Sequence, residues 1–525
     1  MSRLADVQGE EFDVAVVGGG IIGCGVARDA ALRGLRVALF ERRDFGSGTT
    51  SASTRIVHGG LRYLEMFDFR LVRLDLRERE SLLRIAPHLV RPLEFLIPFF
   101  DGDRVSPLKL RTGLALYDIL SYDKRLPSRR WLSAADARAA DPALQRPDVR
   151  GAAAYHDARA DSPERLALEN VLDAEMHGAR VRNYCEVVST TPGVRQGAAT
   201  ITRLRVRDTL EGHEADLSAR VLVNATGAWF ERTAASLTRR TPGRIRTTKG
   251  IHIVVPPVTK HALVLYSGVD RRLLFAIPRR GLTWIGTTDT DYYGDPTDAR
   301  ATVSDVEYVI ESVRGIFPTL RREDVLFTTA GVRALVRRSG TESSVSRMHK
   351  VVLGEPVGPP GVVSVLGGKI TGYRAIAEEV TDAVCRHLGV NRESSTADTP
   401  LPGARPTKAE ASADAPHLYD LYGSRAVDIM TLARSMPDLG RPLSPKYPDI
   451  EAQVPFAVRT EHCVTLTDFL RRRTLLGASE DQGVEAVLPA ARLMAAELGW
   501  THSRLEAEID GYRRDVAGTQ AFRTG

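Results

Sequence analysis

The stretch that most narrows the choice of fold lies near the N-terminus. Val14-Ala15-Val16-Val17 is an uncharged apolar run of strand length, and it enters Gly18-Gly19-Gly20-Ile21-Ile22-Gly23 without a break. From Cys24 to Arg33 the apolar residues Val26, Ala27, Ala30 and Ala31 recur at helical spacing. Gly34 stops the helix, and Val37-Ala38-Leu39-Phe40 makes a second strand that closes at Glu41. A strand, a glycine loop, a helix and a strand in this order point to a parallel sheet with a nucleotide at the helix N-terminus. Each glycine has a reason: Gly18 permits the tight turn, Gly20 lets a pyrophosphate approach the backbone, and Gly23 lets helix and strand pack closely. Glu41 stands where a carboxylate takes a ribose hydroxyl, which disfavours a 2′-phosphate and so NADP. NAD and FAD remain open.

A second segment favours FAD. Val221-Leu222-Val223-Asn224-Ala225-Thr226-Gly227 is a buried strand ending in a glycine turn. In two-domain flavoproteins such a turn returns to the same cofactor, so Thr226 and Gly227 join the cofactor candidates. By the same analogy the strand through Val187 touches the adenine.

The remaining chain reads as α/β, with more than one domain over 525 residues. Helices are expected over 69–85 and 164–177, a strand over 179–188 and a surface hairpin over 201–219. Residues 244–375 are strand-rich, a Pro-, Ala- and Asp-rich linker follows Asp398 to about Pro416, and the last part is helical and charged. The expected architecture is a two-domain FAD-dependent oxidoreductase. A Rossmann-like FAD domain takes 12–90, 150–240 and 328–398, and a mixed-sheet substrate domain takes 91–149 and 241–327. Residues 399–525 form a C-terminal helical domain. The four cysteines, Cys24, Cys185, Cys385 and Cys463, are scattered with no CxxC, which excludes a disulfide framework, a zinc finger and a cysteine-ligated iron–sulfur cluster. A reducing compartment fits, and no metal is expected. The net charge of +6 is mild and no basic stripe carries aromatics, so nucleic acid is not expected as a partner.

From Ser47 the sequence SGTTSASTRIVHGGLRYLE resembles the signature of the FAD-dependent glycerol-3-phosphate dehydrogenases. Five further segments carry the likeness: Lys249 to Val255, Ile285 to Tyr292, Ala330 to Arg333, Gly367-Gly368-Lys369-Ile370-Thr371-Gly372-Tyr373-Arg374, and Arg459 to Arg473, which resembles the family's helical end domain. The chain departs from the family pattern at Ile251, where Ser is usual, at Arg279, where Trp is usual, and at Ala334, where Pro is usual.

The resemblance implies FAD-dependent oxidation of sn-glycerol 3-phosphate to dihydroxyacetone phosphate, with the hydride passing to flavin N5 and the electrons to a quinone. It assigns Arg62, Tyr63, His252 and Arg333 to the substrate, with His252, Arg333 and Lys369 catalytic. Arginine suits a phosphate dianion because its planar charge is permanent. Histidine is the residue type that suits the base and His252 is a candidate, with the identity of the base left open, and Lys369 places positive charge where negative charge develops. The cofactor set is Gly18, Gly20, Gly23, Glu41, Thr49, Thr50, Ser51, His58, Val187, Thr226, Gly227, Gly368, Lys369 and Thr371. The alternatives are a glycerol-3-phosphate oxidase using oxygen, a related amino-acid or amine oxidase, and a non-catalytic flavin-binding protein of the membrane surface. No segment is long and apolar enough to span a bilayer. The expected location is cytoplasmic and peripheral on the membrane, with Leu93 to Leu120 as the candidate contact and a homodimer allowed.

Overall fold

A computed structural model describes residues 3–64, 66–100, 107–195, 198–238, 243–337, 348–355, 357–406 and 415–524. The first strand, β1 (Glu11–Val17), runs parallel to β2 (Val37–Phe40) on one side and to Glu214–Asn224 on the other. Val362–Leu366 extends the parallel set. Helix α1 (Ile21–Leu32) starts directly after Gly20. It packs with helices Pro163–Met176 and Tyr373–Leu388 on one face of this eight-stranded sheet. Val14, Val16, Val26, Val37, Leu39 and Val380 are fully buried there, as expected of parallel strands covered on both faces.

A second, ten-stranded sheet is mostly antiparallel. Its centre is Ile245–Val255, paired with Leu282–Gly286 and with Phe327–Val336. Val90–Phe100 and Val149–Ala160 form a long antiparallel pair in the same sheet. Pro92 and Pro98, which interrupt the apolar pattern of the sequence, are tolerated because the second neighbour of that strand pairs only at Phe95 and Leu96. Val149–Ala160 and Phe327–Val336 both belong to this sheet, so the sequence-based boundaries at 150 and 328 fall too early.

Helix α2 (Phe69–Ile85) spans the expected residues, with Asp68 capping Leu71 N–H at 3.2 Å. The strand expected over 179–188 is broken in two, Arg180–Arg182 and Cys185–Arg195, by Tyr184 at φ +53°. The hairpin expected over 201–219 is longer, Ala198–Asp208 with Glu214–Asn224. The described part of the expected linker is not a free tether. Leu401 is fully buried, and Gly403 N–H donates to Glu169 Oε2 at 3.0 Å. Residues 407–414 of that linker lie outside the described residues.

The C-terminal helices build their own core around Phe456, Phe469, Leu470, Met494 and Tyr512. Buried ion pairs attach it to the rest of the chain. Arg165 donates to both oxygens of Glu461 at 2.8 and 3.0 Å, and Arg473 donates to both oxygens of Asp44 at 2.7 and 2.8 Å. Among the described residues no helix is long and apolar enough to cross a membrane.

Candidate active site

A cavity of about 980 Å³ opens between the two sheets and is walled by both. The glycine loop forms one end. Gly18 takes φ +104°, which a side chain rarely adopts. A Cβ at Gly20 would meet nothing nearer than Thr50 Oγ1 at 3.7 Å, so the backbone there is open to a ligand. A Cβ at Gly23 would lie 1.9 Å from the Gly18 carbonyl oxygen; this glycine does not line the cavity but lets α1 sit on the loop. Glu41 accepts from Gly19 N–H at 2.7 Å and Arg43 N–H at 2.9 Å. Burial pushes its carboxyl up, against the pull of those N–H groups and of Arg43 and Arg42.

Thr49, Thr50, His58, Val187, Thr226, Gly227, Gly368 and Thr371 all line this cavity. Thr50 Oγ1 accepts from Ile21 N–H at 3.1 Å and so caps the start of α1. Thr49 donates to the Val332 carbonyl at 2.7 Å, and Thr371 Oγ1 accepts from His58 N–H at 3.1 Å. Ser51 is a correction. Its hydroxyl turns back to the carbonyls of Gly48 (2.9 Å) and Ser47 (3.1 Å), and it does not line the cavity.

The polar end carries the expected cations. Arg333 projects over Gly250, where a Cβ would come within 2.3 Å of its guanidinium. It donates to Thr287 Oγ1 at 2.9 Å and to the Thr288 carbonyl at 3.0 Å. Lys369 donates to Asp75 Oδ2 at 2.6 Å, and its ammonium sits 3.9 Å from the centre of the Tyr63 ring. Arg62 lies in the turn Leu61–Leu64, and its side chain is outside the described residues.

His252 is not where the sequence reading puts it. It shares a strand face with Gly250, but Thr54 covers it, and it does not line the large cavity. Its Nε2 lies 3.1 Å from Thr54 Oγ1 and its Nδ1 lies 3.3 Å from Thr329 Oγ1. Burial, then Arg333 and Arg55, lower its pKa to about 3, so the imidazole is neutral at ordinary pH.

Sequence reasoning missed Asp75, Thr54 and the pair Tyr117–Asp157. Asp75 is on the buried stripe of α2 with Leu71, Val72 and Leu76, and a carboxylate on an apolar stripe is itself the signal that a partner exists. Burial raises Asp75 to about 6 despite Lys369. Tyr117 donates to Asp157 at 2.8 Å and accepts from Gly59 N–H at 2.9 Å, while Arg79 holds Asp157 at 2.5 Å. This network fixes the His58–Gly60 loop against α2.

Two family descriptions match the chain: "FAD dependent oxidoreductase" over residues 13–382, and "C-terminal domain of alpha-glycerophosphate oxidase" over residues 394–505. The chain is 38% identical over 544 residues to the glycerol-3-phosphate dehydrogenase of Synechocystis sp., an alignment covering 98% of this chain and 97% of that protein. The chain belongs to the FAD-dependent glycerol-3-phosphate dehydrogenase family. The glycerol-3-phosphate dehydrogenase of Mycobacterium leprae is 35% identical, over 97% of this chain and 88% of that one. The solved structure of glycerol-3-phosphate dehydrogenase from Bacillus halodurans complexed with FAD superposes with TM-score 0.79 at 28% identity. It covers 98% of this chain and 97% of that one. FAD, the cofactor of this family, fits the residues present. The open backbone at Gly20, the helix start behind it and the carboxylate at Glu41 suit its pyrophosphate and ribose.

Proposed function

We propose that this oxidoreductase converts sn-glycerol 3-phosphate to dihydroxyacetone phosphate and delivers the electrons to a quinone at a membrane surface. One observation carries the substrate: a single cavity holds both the dinucleotide cradle and the cations Arg333 and Lys369. FAD, held by Gly18, Gly20 and Glu41, would supply the redox chemistry by taking up the hydride from the substrate C2. Arg333, already oriented by Thr287 and Thr288, takes the phosphate dianion. Tyr63 and Asp75 hold the Lys369 ammonium, which faces the developing negative charge at the substrate oxygen. The proton of the C2 hydroxyl leaves through Thr54, a residue of the cavity wall whose Oγ1 lies 3.1 Å from His252 Nε2. A dianion beside Arg333 offsets part of the positive potential that lowers His252, so substrate binding makes the imidazole a better proton acceptor.

The acceptor reading rests on the cavity mouth. Phe67 and Lys109 both line the cavity. Phe67 is 78% exposed, with Met66, Phe69 and Leu108 exposed as well. Exposed aromatic and aliphatic side chains beside a lysine suit the headgroup region of a bilayer, on its cytoplasmic face. Within the segment expected to make contact, Phe95, Ile97 and Leu114 are core residues. The exposed apolar and basic side chains left for the contact are Leu108, Lys109, Arg111 and Ile119, with the adjoining Phe67 turn.

The test is anaerobic mixing of the FAD-loaded protein with sn-glycerol 3-phosphate, with flavin absorbance as readout. Rapid bleaching, none with glycerol, and reoxidation faster with a quinone analogue than with air are expected. Bleaching by glycerol at the same rate rejects the phosphate clamp, and faster reoxidation by air favours an oxidase.

A further inference from the structure

Behind the wall of the large cavity lies a second, much smaller one of about 20 Å³. Thr54, Arg55 and Ile56 line both. The rest of the small cavity includes Arg159, Asp161, His252, Arg279 and Trp284. Five N–H groups on these residues are buried and have no hydrogen-bond partner among the described residues: Nε and Nη1 of Arg279, Nε of Arg55, Nε of Arg159 and Nε1 of Trp284. Every one is a donor that cannot accept.

The charges do not balance. Arg55 is neutralised by Glu164, to whose two oxygens it donates at 2.6 and 2.8 Å. Arg159 pairs with the Asp161 carboxylate at 3.3 Å. Arg279 is 5% exposed, donates only to the Asp161 backbone carbonyl at 2.6 Å, and stands 4.0 Å from its carboxylate. Three guanidinium groups thus face two carboxylates, and the surplus charge sits on the most buried of the three. An arginine cannot escape burial by losing its proton. Even lowered to about 9 by burial and by Arg55, Arg279 is a cation at neutral pH.

We propose that this small cavity binds one small inorganic anion of the halide class, held by Arg279, Arg55 and Trp284 directly behind the wall of the FAD cavity. The room suits a particle of about one water's size, which excludes a phosphate or a carboxylate metabolite. Water competes for the same room, because the Asp161 carboxylate on this wall can accept from it, but a water leaves the surplus charge uncompensated. An anion satisfies several donors at once and compensates the surplus charge. It also faces His252 and counters the Arg55 potential on that imidazole.

Chloride is the probe in solution and bromide in crystals. The FAD-loaded protein is titrated with sodium chloride against sodium gluconate at constant ionic strength, with Tm as readout. A saturable rise of about 1–3 °C is expected. Crystals soaked in bromide should show an anomalous peak within hydrogen-bond reach of Arg279 Nη1 and Trp284 Nε1. Arg279→Gln should abolish the saturable rise, and Trp284→Phe should raise its midpoint about tenfold or more. A chloride response equal to that of gluconate, together with no bromide peak at Arg279, overturns the proposal. So does an unchanged saturable rise in folded Arg279→Gln. If Arg279→Gln does not fold, the wild-type bromide peak and the Trp284→Phe midpoint decide the question.

Discussion

The Lys369 ammonium donates to Asp75 Oδ2 at 2.6 Å, joining the glycine-flanked loop of the family signature to the buried stripe of α2. The Asp75 side chain is 2% exposed and the Lys369 side chain 14%, so the pair is screened from water while Lys369 lines the cavity. It sets both the aim of the lysine and a pH dependence.

Burial holds the Asp75 carboxyl at about 6, with Glu78 and Asp157 adding to the rise and Lys369 opposing it. An unfolded aspartate ionises near ~3.9. The sign follows: the folded state keeps the proton longer, so this stabilising contribution is full below pH ~4 and is lost as pH rises through about 6. Relative to Asp75→Asn, the wild type should lose about 2–3 kcal/mol between pH 4 and 7. Denaturant unfolding of both proteins across that range checks it, and parallel curves would refute the assignment.

Gly20 and Gly23 belong to one motif but should fail differently. A Cβ at Gly20 enters open space, so Gly20→Val should fold and lose FAD. A Cβ at Gly23 strikes the Gly18 carbonyl, so Gly23→Ala should lower Tm whether or not FAD is added. Flavin absorbance after reconstitution, with circular dichroism on the same samples, separates the two outcomes.

Arg333 depends on the missing side chain of Gly250. Arg333→Ala should raise KM for the phosphate ester by roughly tenfold to a hundredfold, the worth of a charge-assisted contact of about 1.5–3 kcal/mol. Gly250→Ala should reproduce part of that loss without touching the charge, because its Cβ displaces the guanidinium. FAD content should be normal in both, and an unchanged KM in both would remove Arg333 from the substrate site.

Glu461 receives Arg165 at 2.8 Å and Arg425 at 2.6 Å, and Arg165 and Arg425 pull its carboxyl down to about 2 against burial. Such a group contributes stability present above pH ~4.3 and lost as pH falls through about 2. Glu461→Gln leaves buried arginines uncompensated and should cost about 3–5 kcal/mol at neutral pH. Limited proteolysis should then release the C-terminal helices first. Wild-type resistance in the variant would contradict this.

Local features were readable in the residue order. The loop Gly18 to Gly23, the helix after it and Glu41 at the strand end need only near neighbours, so their spacing alone specifies them. The same holds for α2, whose apolar period over Phe69–Ile85 is complete in the sequence. The polar end of the site is different. Whether a side chain on Ile245–Val255 reaches the cavity depends on what the Thr54 loop lays over it, and that loop is about two hundred residues away in the chain. His252 therefore kept its expected strand but not its expected exposure. Asp75 and Lys369 meet only because α2 and the loop after Val362–Leu366 are packed together. The surplus charge of Arg279 exists only because folding gives Glu164 to Arg55 and leaves Arg279 one backbone oxygen. Motifs set by adjacent residues are written in the sequence. Burial, and the choice of which charge finds a partner, are settled by contacts between distant segments.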